Sequence, residues 1–315
     1  MADTLLLTSA EEAAAILRAG GTVAFPTETV YGLGADALNP ETVAKVFTAK
    51  GRPSDNPLIV HLADAADIKS VAELNELARR LATAFMPGPL TLVLPRKDVV
   101  PDIVTAGLHT VAVRIPDEPL AQRLIELAGV PVVAPSANRS GRPSPTTWEA
   151  VQTDLDGRIA AILKGASKRI GIASTVVDVT GDVPLVLRAG GLSIEEIGRV
   201  APDVAFYTAS AGEAVRSPGL LHRHYSPKAR VILVDAAHEA EGSEGAAFIG
   251  LDPPAGEFDL VEHCADISHY AHALFDFFRR CDAAGVKTIF AQRIAEAGLG
   301  RALMDRLRRA AEHSY

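Results

Sequence analysis

The sequence predicts a mixed α/β protein in two parts, a twisted mixed-sheet domain over residues 1–200 and a small open α/β domain over residues 230–315. Three observations carry this. Short apolar runs alternate with amphipathic stretches along most of the chain, which is the signature of strands and covering helices. Several runs follow one another with no helix between them, so some neighbours must be antiparallel. The pattern weakens between residues 201 and 229 and restarts at Val231.

The elements follow in order. Ser9 with Glu12 three residues later reads as a capping box, and Gly20-Gly21 as the stop of that first helix. Thr22 to Phe25 reads as a buried strand. Asn39-Pro40 places an N-cap before a proline at the first helical position. Val43, Val46 and Phe47 give that helix its apolar face, and Gly51 ends it. Further strands are expected at Leu58–Leu62, Thr91–Leu94, Val111–Ile115, Val130–Ala134, Ala160–Leu163, Thr175–Val179 and Leu185–Leu187, with helices at Leu74–Phe85 and Pro119–Ala128. Residues 201–229 carry too many large side chains for a Gly/Ser tether and read as an ordered linker. Beyond it, strands at 231–234, 246–251 and 287–291 alternate with helices near 268–283 and 298–312. Leu299, Leu303 and Leu307 line one face of the last helix.

Composition narrows the function classes. The 315 residues are 48% hydrophobic and 22% charged, the balance of a water-soluble globular chain. No apolar run reaches the roughly 18 residues that span a bilayer. The start, Met1-Ala-Asp-Thr4, lacks the basic region of a secretory signal. No membrane partner and a cytoplasmic location are therefore expected. Cys264 and Cys281 form no CxxC and have no zinc spacing, so a reduced setting and no resident metal are expected. A formal net charge of −8 and 5% aromatic residues argue against a dedicated RNA-binding module.

Against that acidic background, cations gather on two Gly/Pro-rich segments that begin where apolar runs stop. One comprises Pro26-Thr-Glu-Thr-Val-Tyr-Gly-Leu-Gly34 with Lys50-Gly-Arg-Pro-Ser-Asp-Asn-Pro57. The other is Ala134-Pro-Ser-Ala-Asn-Arg-Ser-Gly-Arg-Pro143. Strand ends that open into such loops hold functional groups at fixed distances, and Lys50, Arg52, Arg139 and Arg142 suggest a phosphate-bearing ligand. Each residue also has a plainer reading. Lys50 and Arg52 could simply answer the dipole at a helix end. Arg114 shares a strand face with Ala112, where it could clamp a carboxylate or lie exposed. Arg188 has the same two readings. His61 closes an apolar strand and suits either a ligand or a structural role. Ser136-Ala-Asn138, Ser174-Thr175 and His222-Arg-His-Tyr225 suit polar recognition or ordinary turns and linkers. No P-loop, GxGxxG, HExxH or GxSxG pattern occurs. The residues alone support an anionic-ligand cleft and name no reaction.

At these residues the chain closely resembles the YrdC-type threonylcarbamoyl-AMP synthases in their two-domain form. The resemblance is carried by Pro26–Gly34, Lys50-Gly-Arg-Pro-Ser-Asp-Asn-Pro-Leu-Ile-Val-His61, Pro135-Ser-Ala-Asn138, Ser174-Thr-Val-Val-Asp178, Arg188-Ala-Gly190 and Ser217–Pro227, over most of residues 10–228. It implies a YrdC-like catalytic domain over 1–200, a linker or lid over 201–229 and a small Rossmann-like domain over 230–315. It also implies a reaction in which L-threonine, bicarbonate and ATP give threonylcarbamoyl-AMP and pyrophosphate. That makes the chain a nucleotidyltransferase acting in tRNA modification. Mg2+ is expected with ATP, and a tRNA threonylcarbamoyl transferase is the expected downstream partner, with a weak tRNA contact.

Carried over by position, the resemblance implies that Thr29, His61, Arg114, the backbone at Ala134 and Ser174 hold threonine. It assigns Lys50, Arg52, Asn56, Thr110, Ser136, Asn138, Ser144, Arg188 and His224 to ATP. Lys50 and Arg52 would stabilise the transferring α-phosphate, and Tyr31 would shape the pocket wall. Two competitors stand beside this reading. A carbamoyl transferase of the hydrogenase-maturation type would bring added zinc-finger modules, for which two cysteines do not suffice. An RNA-binding module would show steeply salt-dependent binding without ATP turnover.

Overall fold

The structure is a computed structural model that describes residues 3–166, 170–208 and 226–312. The first sheet is built from β1 (Leu5–Leu7), β2 (Val23–Phe25), β3 (Gly32–Asp36), β4 (Ile59–His61), β5 (Leu90–Pro95), β6 (Thr110–Arg114), β7 (Val132–Val133), β8 (Ala161–Leu163), β9 (Thr175–Asp178), β10 (Leu185–Arg188) and β11 (Ala205–Phe206). Their spatial order is β1-β8-β2-β3-β7-β4-β6-β5-β9-β10-β11. The sheet is mixed as expected. β4 and β6 run parallel, while β7 and β5 flank them antiparallel.

Alternation along the central strands separates two environments. Val60, Val113 and Val133 point into the main core, together with Val43 and Val46 of helix Pro40–Lys50 and Leu81 of helix Glu76–Phe85. Ile59 and Ala112 point the other way and join a smaller cluster with Val93, Val176 and Leu187. Arg114, two residues beyond Ala112, lies on that second face. Phe25, Val132 and Leu163 pack against helices Ala10–Arg18 and Pro119–Ala128.

Local signals explain the ends of these helices. Asn39 Oδ1 accepts from the Glu41 amide, Pro40 opens the helix, and Gly51 closes it in the left-handed region with φ 61°. Ser9 caps its helix by accepting from the Glu12 amide. The return arm differs from the expected box, because the Ser9 hydroxyl donates to Glu11 instead.

The last third of the Pro26–Gly34 segment, read as a Gly-shaped loop, is a strand. β3 begins at Gly32, and glycine serves packing there. A Cβ on Gly34 would stand 2.8 Å from the Phe25 ring and 3.1 Å from a Val132 methyl. The first sheet also runs past residue 200, since β11 pairs in parallel with β10. Most of the linker, including Ser217–Tyr225, lies outside the described residues.

The second sheet holds β12 (Arg230–Val234), β13 (Ala246–Gly250), β14 (Leu260–His263) and β15 (Thr288–Gln292), all parallel, in the order β12-β15-β13-β14. Helices Ile267–Ala284 and Leu299–Ala311 pack against it. Its core takes in Val30 and Ile172 from the first domain. Next to Ile172, Gly171 meets the backbone of His272 so closely that a Cβ would stand 2.5 Å from its Cα. The two domains share a packed boundary beside the segments that carry Thr29 and Ser174.

Candidate active site

A cleft opens on the sheet face that carries Ile59 and Arg114. Its lining includes Thr29, Arg52, His61, Arg114, Ala134, Ser136, Asn138, Ser144, Ser174 and Arg188, ten of the residues singled out from the sequence. Arg142 also lines it. Four arginines and no carboxylate face the space among the described residues. That charge pattern suits an anionic ligand.

Strand register brings the first group together. His61 and Arg114 are partners across β4 and β6, and His61 faces Val132 across β4 and β7. Arg114 is 5% exposed. Its Nη2 donates to Thr29 Oγ1 at 2.9 Å and lies 2.8 Å from Glu28 Oε1, while Nε reaches the Gly88 carbonyl at 3.4 Å. The Nη1 group has no protein partner among the described residues and is left for a ligand. Arg offers a planar fork that matches a carboxylate, so a guanidinium turned in this way can clamp a carboxylate.

His61 is buried, with Nδ1 donating to the Ile59 carbonyl at 3.2 Å and its ring edge-on to Phe25. Burial and the charge of Arg114 push its pKa down to about 3. The ring is therefore neutral near pH 7 and keeps Nε2 as an acceptor. The Ala134 amide is engaged by the Ile59 carbonyl at 3.0 Å, so that residue can offer a ligand only its carbonyl. Ser174 Oγ lies 2.8 Å from Thr91 Oγ1, and Arg188 Nη2 donates to the Ser174 carbonyl at 2.9 Å. The Arg188-Ala-Gly turn must lie flat against this segment. A Cβ on Gly190 would stand 2.2 Å from the Ser174 carbonyl carbon.

The loop after β7 supplies the other wall. Asn138 Nδ2 donates to the carbonyls of Arg139 and Arg142, at 2.8 and 2.9 Å, and curls the loop around itself. Its Oδ1 is buried without a hydrogen-bond partner among the described residues. On a cleft wall, such an acceptor calls for a ligand donor. Arg52 reaches the same cleft from the turn after helix Pro40–Lys50, with Nη2 donating to the Pro57 carbonyl at 2.9 Å.

Three residues expected at the site stand outside its lining. Lys50 lies behind the wall, where its Nζ donates to the carbonyls of Ser136 and Asn138, both at 2.5 Å. Burial, and then the nearby charge of Arg52, lower its pKa well below the usual lysine value. At the last position of its helix it turns toward the loop backbone, so it braces the wall rather than facing the space. Asn56 is also buried outside the lining, and its carbonyl receives Arg52 Nε at 3.3 Å. Thr110 opens β6 on the far side of Leu58 and lines a separate small cavity with Thr105 and Leu108. His224 lies outside the described residues. Tyr31 is likewise behind the wall, its hydroxyl bonded to the amide and carbonyl of Gly165, at 3.0 and 3.1 Å.

The family model for Sua5, YciO and YrdC, described as "Telomere recombination", matches residues 15–190. The chain belongs to this family. A second model, the C-terminal domain of threonylcarbamoyl-AMP synthase, matches residues 192–312. Among curated relatives, the threonylcarbamoyl-AMP synthase of Pyrococcus abyssi is 45% identical over 315 residues, covering 95% of this chain and 92% of that protein. The Bacillus subtilis protein of the same name is 43% identical, with 95% and 92% covered. The crystal structure of P. abyssi Sua5 complexed with L-threonine superposes with a TM-score of 0.90 at 41% identity, over 99% of this chain and 98% of that one. Both domains of this chain thus have a counterpart in the Sua5 structure.

Sequence reasoning passed over Glu28 and Asp154, the two buried carboxylates behind the walls. Glu28 stands inside the Pro26–Gly34 motif, where its pairing with Arg114 had no local cue. Asp154 accepts from Arg142 Nη1 at 2.7 Å and Arg279 Nη2 at 2.9 Å. Arg142 is 12 residues away in the chain and Arg279 is 125. Among the described residues, Glu262, Cys264 and His269 converge in the second domain. Arg280 and His269 already engage Glu262, and burial pushes the Cys264 thiol up to about 12, so the group reads as an ion-pair cluster.

Proposed function

We propose that this chain is a threonylcarbamoyl-AMP synthase that converts L-threonine, bicarbonate and ATP into threonylcarbamoyl-AMP and pyrophosphate. The observation that carries the reading is the cleft with Arg52, Arg114, Arg142 and Arg188 on its walls and no carboxylate among its described lining. It occupies the chain of a close relative of threonylcarbamoyl-AMP synthases, one of them solved with L-threonine.

Threonine binds at the Arg114 end. Nη1 of Arg114 takes the carboxylate, held in place by Glu28 and Thr29. Neutral His61 accepts a proton-bearing group of the amino acid through Nε2. The amine captures carbon dioxide from bicarbonate as a carbamate, and a carbamate oxygen attacks the α-phosphorus of ATP. The bond to the β-phosphate breaks, and pyrophosphate leaves with its electron pair. Such a transfer needs positioning and positive charge more than a protein nucleophile. Arg52, with Arg142 and Arg188, supplies the charge on this wall. Asn138 Oδ1 accepts from a ligand hydroxyl or amine.

Mg2+ enters with ATP, held by phosphate oxygens and water, since Glu28 and Asp154 are both committed to arginines. The product then passes to a transferase that modifies tRNA. The reaction places the chain among the nucleotidyltransferases. No helix of the described residues is long and apolar enough to cross a membrane.

The test is pyrophosphate release with Mg2+ and ATP, omitting threonine or bicarbonate in turn. Release that needs both, with threonylcarbamoyl-AMP identified by mass spectrometry, is the expected result. Release that ignores both substrates would point to a different adenylating or hydrolytic activity.

A further inference from the structure

The loop that forms one wall of the cleft, residues 134–144, is gripped from two sides. From within the first domain, Lys50 Nζ holds the Ser136 and Asn138 carbonyls, and the Ser140 amide donates back to the Lys50 carbonyl at 2.9 Å. The other grip comes from the second domain. Arg279, on helix Ile267–Ala284, donates through Nη2 to the Pro143 carbonyl and to Asp154 Oδ2, the latter at 2.9 Å. Asp154 has a fully buried side chain, and its other oxygen accepts from Arg142 Nη1 at 2.7 Å. The Ser226 amide adds a bond to the Gly141 carbonyl at 3.1 Å.

Asp154 is thus the centre of an Arg142–Asp154–Arg279 bridge. One end is a cation on the cleft wall, and the other is a helix of the second domain. Burial alone would raise the Asp154 pKa, but hydrogen bonds and charge from Arg279 and Arg142 hold it below the usual carboxylate value. The carboxylate is therefore charged, and each arginine bond is charge-assisted and directional.

We infer that Asp154 and Arg279 are positioning residues for the nucleotide wall, and that through them the second domain sets the placement of Arg142, Asn138 and Ser144. The chemistry at the wall rests on the synthase reading, while the bridge itself is geometry. Threonine is held elsewhere, by Arg114 and His61 on the sheet and by Thr29 in the bend between β2 and β3. The bridge should therefore govern ATP and leave threonine alone. This gives the second domain a task that the first domain cannot perform unaided, because Arg279 reaches Pro143 and Asp154 from outside it.

The experiment uses the full chain and its Arg279→Met, Arg279→Lys and Asp154→Asn variants. The probe is the magnesium complex of α,β-methylene-ATP, whose α–β bond is not cleaved, titrated calorimetrically with threonine and bicarbonate present. L-threonine is titrated separately. Arg279→Met and Asp154→Asn are expected to weaken nucleotide binding about tenfold, the scale of a small misplacement of binding groups, with threonine affinity unchanged. Arg279→Lys should recover part of the loss. Unchanged nucleotide affinity in both variants would overturn the inference. So would equal losses for nucleotide and threonine, or failure of both variants to fold, since either result assigns the bridge a merely structural role. A wild-type chain that binds the nucleotide but makes no threonylcarbamoyl-AMP would sink the synthase reading and leave this test readable.

Discussion

Glu28 and Arg114 form a buried ion pair behind the sheet-side end of the cleft, with Glu28 Oε1 2.8 Å from Arg114 Nη2 and side chains 1% and 5% exposed. The pair has a consequence for recognition. Glu28 and Thr29 occupy one arm of the guanidinium, so its free arm, Nη1, is the one presented to a ligand. Glu28 also balances the charge of Arg114 when no ligand is bound.

Glu28→Gln should therefore act on both stability and threonine. Removing one partner of a buried pair leaves the other charge uncompensated, at a cost of about 3–5 kcal/mol. Denaturant unfolding should show a loss on that scale. In the folded fraction, the KM for threonine should rise by about tenfold or more, with a smaller change for ATP. A variant with unchanged threonine KM would show that Arg114 does not need Glu28 to orient it.

Lys50 and Arg52 should separate in their effects although they flank one glycine. Lys50→Met removes two hydrogen bonds to buried carbonyls, and each unsatisfied group costs about 1–3 kcal/mol. Stability and turnover should fall together. Arg52→Met should keep the fold and lower turnover by about 100-fold, the usual scale for losing one preorganised cation or donor. Thermal unfolding with pyrophosphate-release kinetics on both variants checks this. Wild-type turnover in Arg52→Met would remove it from the mechanism.

The same two residues mark how far the sequence was legible. Asn39-Pro40 and Gly51 announced the helix between them, and alternation placed Arg114 opposite Val113, as the two sheet faces bear out. Whether a cation faces a cleft or a backbone was not legible. Lys50 and Arg52 look alike in sequence, yet the helix exit turns the first toward the Ser136 and Asn138 carbonyls. β3 escaped because Gly32 and Gly34 resemble turn glycines, while their role is to admit neighbouring side chains. β14, whose residues alternate between partial burial and exposure at a sheet edge, offered no apolar run. Asp154 could not be seen at all, because Arg279 is 125 residues away.

His61 should remain neutral far below the ordinary histidine range. Its folded pKa of about 3 lies under the unfolded value of 6.5, so the unfolded chain binds the extra proton as pH falls between them. Its contribution to stability is complete above that window and is lost on acidification, at up to about 1.4 kcal/mol per pH unit. Denaturation of the wild type and of His61→Gln across this range measures the effect. Parallel stability profiles for the two proteins would contradict it.

Gly190→Ala should be strongly destabilising, because the added methyl would meet the backbone of Ser174 at 2.2 Å. Relieving that contact would require the Arg188–Gly191 turn to lift from β9. A loss of about 2–3 kcal/mol, in the range of an overpacked site, is expected from denaturant unfolding, along with weaker threonine binding through Ser174. A variant as stable as the wild type would mean that the turn moves freely.

The most direct measurement is calorimetric titration of L-threonine into the wild type and into Arg114→Met. If this cleft holds the amino acid by its carboxylate, the wild type binds, and the variant, still folded, shows no measurable binding. Equal binding by both proteins would place threonine away from Arg114 and contradict the account of the site.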